Sequence, residues 1–66
     1  MINMKARHKI VDIKENTAII DVKLEDGRGF TLFTGVDRVK NELKDLIKIH
    51  AKSLYGVDIE RVEEEK

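Results

Sequence analysis

Two histidines, His8 and His50, have the greatest chemical potential in this chain, because imidazole binds metals and transfers protons near neutral pH. Their surroundings contain no His-x-x-x-His or His-x-x-Glu spacing, and the chain has no cysteine. Both fall on the apolar side of the element that the pattern predicts for them. We therefore expect two structural histidines at the edges of the core, with their ring nitrogens hydrogen-bonded, and no metal or cofactor.

Two further motifs are weak candidates for catalysis or phosphate binding. Ser53 is the only serine, and it lies late in a predicted helix without the glycines of a nucleophile elbow. Gly27-Arg28-Gly29 lacks the lysine and the strand–helix context of a phosphate-binding loop, and a hairpin turn explains it. We predict no catalytic site, and hence a protein that is not an enzyme.

The charged residues balance, with 13 basic and 13 acidic side chains. The net charge therefore gives no general attraction to nucleic acid or anionic membranes. A lysine recurs every four residues along one flank of the predicted helix, and such a row can contact phosphates. The row comprises Lys40, Lys44, Lys48 and Lys52. We interpret it first as a solvated helix face, which commonly carries such rows.

A first strand is predicted over residues 4–14. Its apolar residues occupy even positions up to Ile10 and odd positions from Val11 onward. A β-bulge at these two residues restores the alternation and directs both sets to one face. The bulge predicts five mostly buried residues on the helix side: Met4, Ala6, Ile10, Val11 and Ile13. The opposite face then carries Lys5, Arg7 and Lys9.

Two turns connect this strand to a second over residues 17–25 and a third over roughly 28–33. A two-residue Glu15–Asn16 turn closes the first hairpin, and asparagine tolerates the positive φ it needs. A three-residue turn with Gly27 in the left-handed region pairs Val22 with Phe30, whereas a shorter turn directs Phe30 to the wrong face. The second strand then buries alternate residues: Ala18, Ile20, Val22 and Leu24.

A long helix follows, because apolar residues recur there at spacings of three and four. Its predicted apolar stripe comprises Val36, Val39, Leu43, Leu46, Ile47, His50 and Leu54. Thr34 fits the N-cap position of a capping box that ends at Asp37, and Gly56 fits a left-handed C-cap. Residues 57–62 then alternate as a short final strand.

The element order is therefore β-β-β-α-β, an α+β fold in a single domain over residues 1–66. Three strands form an antiparallel meander, one helix covers one face, and the short last strand runs parallel to the first and third. A right-handed crossover permits the last strand beside either of these two. The basic first strand would face Asp58 and Glu60 across the pair, which favours the first strand.

The sheet face opposite the helix is the predicted binding surface. Ile19 and Phe33 lie on it beside Lys5, Arg7 and Lys9. Apolar side chains framed by charges are typical of protein contacts, so we predict a small accessory or regulatory module that binds itself or another protein. Basic strands around an exposed aromatic also suit single-stranded nucleic acid, which is the alternative, with the four helix lysines as phosphate contacts.

The length of the chain favours self-association. A domain of this size buries only about 60% of its unfolded surface, and the sequence offers no disulfide to compensate. We therefore expect a homodimer. The sequence has neither the run of about 18 apolar residues that spans a membrane nor the apolar core of a signal peptide. We expect no membrane partner and a cytoplasmic location.

Overall fold

The computed structural model describes residues 3–65. It contains β1 (Asn3–Lys14), β2 (Thr17–Leu24), β3 (Gly29–Gly35), α1 (Val36–Tyr55) and β4 (Asp58–Glu64). The strands form one mixed sheet in the order β3-β2-β1-β4, in which only β4 pairs in parallel. The predicted α+β fold and its β-β-β-α-β order are confirmed, and the last strand lies beside the first. No helix among the described residues is long and apolar enough to cross a membrane.

The centre of the core lies between β2 and α1. The four inward residues of β2, from Ala18 to Leu24, are all buried, as their alternation predicts. On α1 the buried row is Leu43, Ile47 and Ala51. The predicted stripe is therefore wrong at its end, since His50 and Leu54 are exposed. Ala51, which the predicted stripe left out, is buried in their place.

Both hairpins have the predicted register. Lys14 pairs with Thr17 around the first turn, and Val22 pairs with Phe30 beyond the second. Gly27 has a φ of 96°, in the left-handed region, as the three-residue turn requires. In the first turn the positive φ of 55° falls on Glu15 and not on its asparagine neighbour. At the second turn, the hydrogen bond from the Arg28 backbone lowers the pKa of the Asp26 carboxyl.

The β-bulge in β1 is confirmed, but its predicted burial is wrong beyond the middle of the strand. The register with β2 shifts between Ile10 and Asp12, which leaves Val11 as the extra residue. Met4 and Ala6 are buried, whereas the exposed fractions of Ile10, Val11 and Ile13 are 39%, 47% and 56%. This half of β1 lies two strands away from β3, directly after which the helix begins. The parity of the strand fixes which face a side chain occupies, but not whether another element covers it.

The predicted Thr34 cap is also wrong. Thr34 belongs to β3, where it pairs with Ala18, and the N-cap of α1 is Gly35 without a side-chain hydrogen bond. The helix N-terminus is instead tied to the first turn, because the Val36 N–H donates to the Asn16 carbonyl at 2.9 Å. The Thr34 side chain faces the core, and its buried hydroxyl has no hydrogen-bond partner among the described residues.

We expect Thr34→Val to stabilise the fold by about 1 kcal/mol or more. Valine has nearly the same shape and removes a buried hydroxyl whose hydrogen bond to water is lost on folding. Urea unfolding followed by circular dichroism measures the change. Thr31→Val is the matched control, because Thr31 is exposed and its hydroxyl bonds to Asp21 at 3.1 Å. A valine at position 34 that lowers the stability would show that the hydroxyl is satisfied in solution.

Candidate protein-binding surface

The open sheet face carries an exposed apolar pair near the outer strand. Ile19 of β2 and Phe33 of β3 lie directly opposite each other. Ile19 is half-buried, and 67% of Phe33 is exposed, the largest exposed fraction of any large apolar residue described. No element of the described chain covers this face, since α1 packs on the other side. The two residues that the sequence singles out are therefore brought together as one patch.

The basic residues of β1 lie on the same face, and each has charged neighbours on the adjoining strands. Lys9 is opposite Asp21, and Arg7 is flanked by Lys23 on one side and Glu63 on the other. Lys5 faces Arg61, which in turn contacts Glu63 at 3.4 Å. Positive and negative side chains are therefore mixed over this half of the face, with like charges side by side at Arg7 and Lys23 and at Lys5 and Arg61.

A shallow groove of 480 Å³ lies at the basic end of the open face. It is lined by charges of both signs, namely Lys5, Arg7, Lys23, Glu25, Glu63 and Glu65. The Lys5 backbone N–H donates to the Glu25 carboxylate at 3.0 Å, which fixes one wall. The mixed lining favours charged and polar protein groups over a simple anion.

The position of β4 beside β1 is as the charges indicate, but the individual pairs differ from the prediction. Asp58 lies opposite Asn3, and the register shifts after Ile59, so Glu60 is the extra residue of a second bulge. Inward-facing Ile59 and Val62 stand three residues apart, a parity break like that of β1. This spacing was the available signal for the bulge that the sequence prediction missed.

The lysine row of α1 lies on the flank that faces β4. Lys52 forms an ion pair with Asp58 at 3.3 Å. Lys40 and Lys44 line a groove of 660 Å³ with the carboxylates of Asp45 and Glu64. Lys48, the remaining member, is exposed. The structure thus places acidic groups beside the row, and it separates the row from Lys5, Arg7 and Lys9 by the thickness of the sheet.

The two histidines occupy different environments. His50 is exposed, stacks on Phe30 with ring centroids 6.1 Å apart, and its Nδ1 lies 2.9 Å from the Leu46 carbonyl. His8 is half-buried, and its Nδ1 has no hydrogen-bond partner within residues 3–65, contrary to prediction. Over the same residues, no group of three histidine, cysteine or carboxylate side chains could hold a metal ion.

The outer edge of β3 is the feature that the sequence prediction missed. The seven residues Gly29–Gly35 contain no charged residue and no proline, whereas the other outer strand, β4, carries charges and a bulge. Natural sheets use such charges and bulges to protect their edges from pairing with further strands. The β4 edge of this sheet has these features, and the β3 edge lacks them. The uncharged run was visible in the sequence, but only the strand order shows that it lies at an edge.

Compared with protein-family models, with curated proteins and with solved structures, the chain has no significant match in any of the three.

Proposed function

We propose that this protein is a small non-enzymatic accessory or regulatory module that binds proteins, and that it associates with a second copy of itself through the open sheet face. The observation that carries the proposal is the exposure of Phe33 directly opposite Ile19. Complete burial of one such side chain contributes about 1.5–3 kcal/mol. A two-fold contact buries each of them twice, because both copies use the same surface.

The charge arrangement is compatible with self-pairing around this apolar patch. Lys23 lies four residues along β2 from Ile19, which is about 13 Å at the usual rise of a strand. Arg7 is opposite Lys23, and Lys5 lies farther out. A two-fold axis that runs through the patch at right angles to the strands carries these basic residues of the two copies in opposite directions. The apolar residues then meet, while Lys5, Arg7 and Lys23 stay apart from the same residues of the second copy.

We expect Ile19→Lys to weaken self-association at least tenfold. A lysine there removes apolar contact area and brings two charges together at the axis, and a loss of about 1.4 kcal/mol already corresponds to tenfold. Sedimentation velocity over a range of concentrations measures the change. Thr17→Lys is the matched control, because it adds the same charge to an exposed position two residues away on the same strand.

Equal association of the wild type and Ile19→Lys would overturn the proposed face, as would a wild type that is monomeric at every concentration. A weak association of Thr17→Lys equal to that of Ile19→Lys would indicate a general charge effect. The proposal requires the loss to depend on position 19.

Nucleic-acid binding is the second candidate, favoured by the exposed ring of Phe33 on the same face as Lys5, Arg7 and Lys9. Aromatic stacking and phosphate contacts together bind single strands. The neighbouring carboxylates Asp21 and Glu63 reduce the positive potential that such binding needs. Fluorescence anisotropy with a labelled single strand tests it, since phosphate contacts make affinity fall with salt. Absence of binding at low salt would remove this candidate.

A further inference from the structure

The free edge of β3 presents unpaired backbone groups in a regular row. In an antiparallel pair, residues alternate between those that bond to the opposite strand and those whose N–H and C=O point away from it. The bond from Leu24 N–H to Arg28 C=O and the bond from Val36 N–H to Asn16 C=O fix this alternation from both ends. Phe30, Leu32 and Thr34 therefore bond to β2. The outward groups belong to Gly29, Thr31, Phe33 and Gly35.

Within residues 3–65, α1 occupies carbonyl groups at both ends of this row. The Tyr55 hydroxyl donates to the Gly29 carbonyl. Gly35 is the N-cap of α1, so its carbonyl accepts the first hydrogen bond of the helix. The backbone groups of Thr31 and Phe33 have no further hydrogen bond in this part of the chain. A row of unpaired strand groups without charge or proline is a template for another strand.

We propose that β3 pairs antiparallel with β3 of a second copy, centred on Leu32, and so joins two sheets into one of eight strands. This contact goes beyond the face contact proposed above and uses a different surface.

The sequence of β3 is self-complementary about that centre. Leu32 lies opposite Leu32 of the second copy. Thr31 lies opposite Phe33 of the second copy, and Gly29 lies opposite Gly35 of the second copy. Thr31 and Phe33 form the central hydrogen-bonded pairs of this register, and their backbone groups already point outward, so neither residue has to turn. Each phenylalanine lies opposite a threonine, which is a favourable cross-strand pair, and no like charges meet. These features favour a second copy over an unrelated peptide.

The second half of the helix flank beside β3 continues the uncharged surface. The stacking of His50 on Phe30 shows which flank of α1 lies next to this strand. That flank carries Leu46, Ile49, His50 and Ser53, with 61% of Ile49 exposed. The lysine row occupies the flank next to β4, as the Lys52–Asp58 ion pair shows. The first half of this flank carries the Arg38–Glu42 ion pair, whereas its second half is free of charges.

The edge contact also enlarges the face proposed above. With Thr31 opposite Phe33 of the second copy, the two phenylalanines become diagonal neighbours on the open face. The two Ile19–Phe33 pairs then merge into one apolar patch of four residues. Two such dimers that stack through this patch form an assembly of four chains, in which edge and face each supply one kind of two-fold contact.

Thr31→Pro tests the edge without breaking the fold. The Thr31 N–H points away from β2, so proline removes no bond of the β2–β3 ladder but blocks the pairing of a second strand. We expect sedimentation of four chains for the wild type, two for Thr31→Pro, two for Ile19→Lys and one for the double variant. Thr31→Val is the matched control, since it keeps the N–H and loses only the hydroxyl, and it should sediment like the wild type.

Amide hydrogen exchange gives a second measurement that needs no variant. In an edge-paired assembly the Thr31 and Phe33 amides exchange at least tenfold more slowly than in the separated chain, and their protection rises with protein concentration. The amides of Leu32 and Thr34 are protected in both states, because they bond to β2, and they report that the strand is folded.

Three results separate this inference from the proposed function. The edge contact would be overturned if the Thr31→Pro variant sedimented like the wild type. Fast exchange of the Thr31 and Phe33 amides in the associated protein would overturn it as well. Either result would leave the face contact in place. Assembly that is sensitive to Thr31→Pro but indifferent to Ile19→Lys would keep the edge and remove the face. A wild type that stays monomeric would overturn both.

Discussion

Ile47→Ala should destabilise the fold by about 2–5 kcal/mol, the range measured for large-to-small changes in well-packed cores. Ile47 is completely buried at the middle of the row through which α1 contacts the sheet, and it is among the largest fully buried side chains. A domain of this length has a total stability of roughly 3–10 kcal/mol. The single change therefore removes a large share of it, which urea unfolding followed by circular dichroism measures.

Ile49→Ala is the control for this prediction. The same residue type lies two positions further along the helix, but 61% of it is exposed, so the change should stay within about 0.5 kcal/mol. Both variants need a protein concentration at which the chain is monomeric, because association adds to the apparent stability. A loss below about 1 kcal/mol for Ile47→Ala would show that α1 is only loosely attached to the sheet.

The sequence predicts the hairpins well because their constraints are local. In β2 the apolar residues alternate without a break, and only one turn length keeps Phe30 on the same face as Val22. The bulge at Val11 follows from the same parity argument. These features depend on pleat geometry and turn chemistry, which a short stretch of chain fixes by itself.

The errors occur where a distant element decides the outcome. Ile13 lies on the predicted face, yet it is exposed because α1 starts beside β3 and leaves that corner of the sheet open. Thr34 matches a capping motif, but its pairing with Ala18 continues the strand past it. In both cases the local pattern is correct and the tertiary arrangement overrides its consequence.

The candidate surface could be predicted in part. Ile19 and Phe33 follow from strand parity, and the structure brings them opposite each other. The unpaired groups of Thr31 follow only from the strand order, which leaves β3 at an edge. The order of the strands depends on the long-range packing of β4 against β1. The alternation of apolar residues within one strand gives no information on that order.

Gly29→Ala should destabilise the fold by about 1–3 kcal/mol, the usual cost of extra volume in a packed position. A Cβ atom on Gly29 would lie 2.5 Å from the Val22 carbonyl oxygen, which belongs to the neighbouring backbone and cannot rotate away. The two strands must therefore separate at this end, where the Gly29 carbonyl also accepts the Tyr55 hydroxyl. We expect faster amide exchange at Phe30 and a lower urea midpoint.

Gly35→Ala is the matched control at the other end of the same strand. Its Cβ atom would meet only the Asn16 carbonyl oxygen at 3.8 Å, an ordinary contact. The change should cost about 1 kcal/mol or less, which is the usual loss when alanine replaces a preferred N-cap residue, and it should leave β2 and β3 paired. Equal losses for the two variants would mean that any side chain at either end of β3 disturbs the strand. A neutral Gly29→Ala would mean that β2 and β3 are farther apart in solution, in which case the first residue of the proposed edge register would also be displaced.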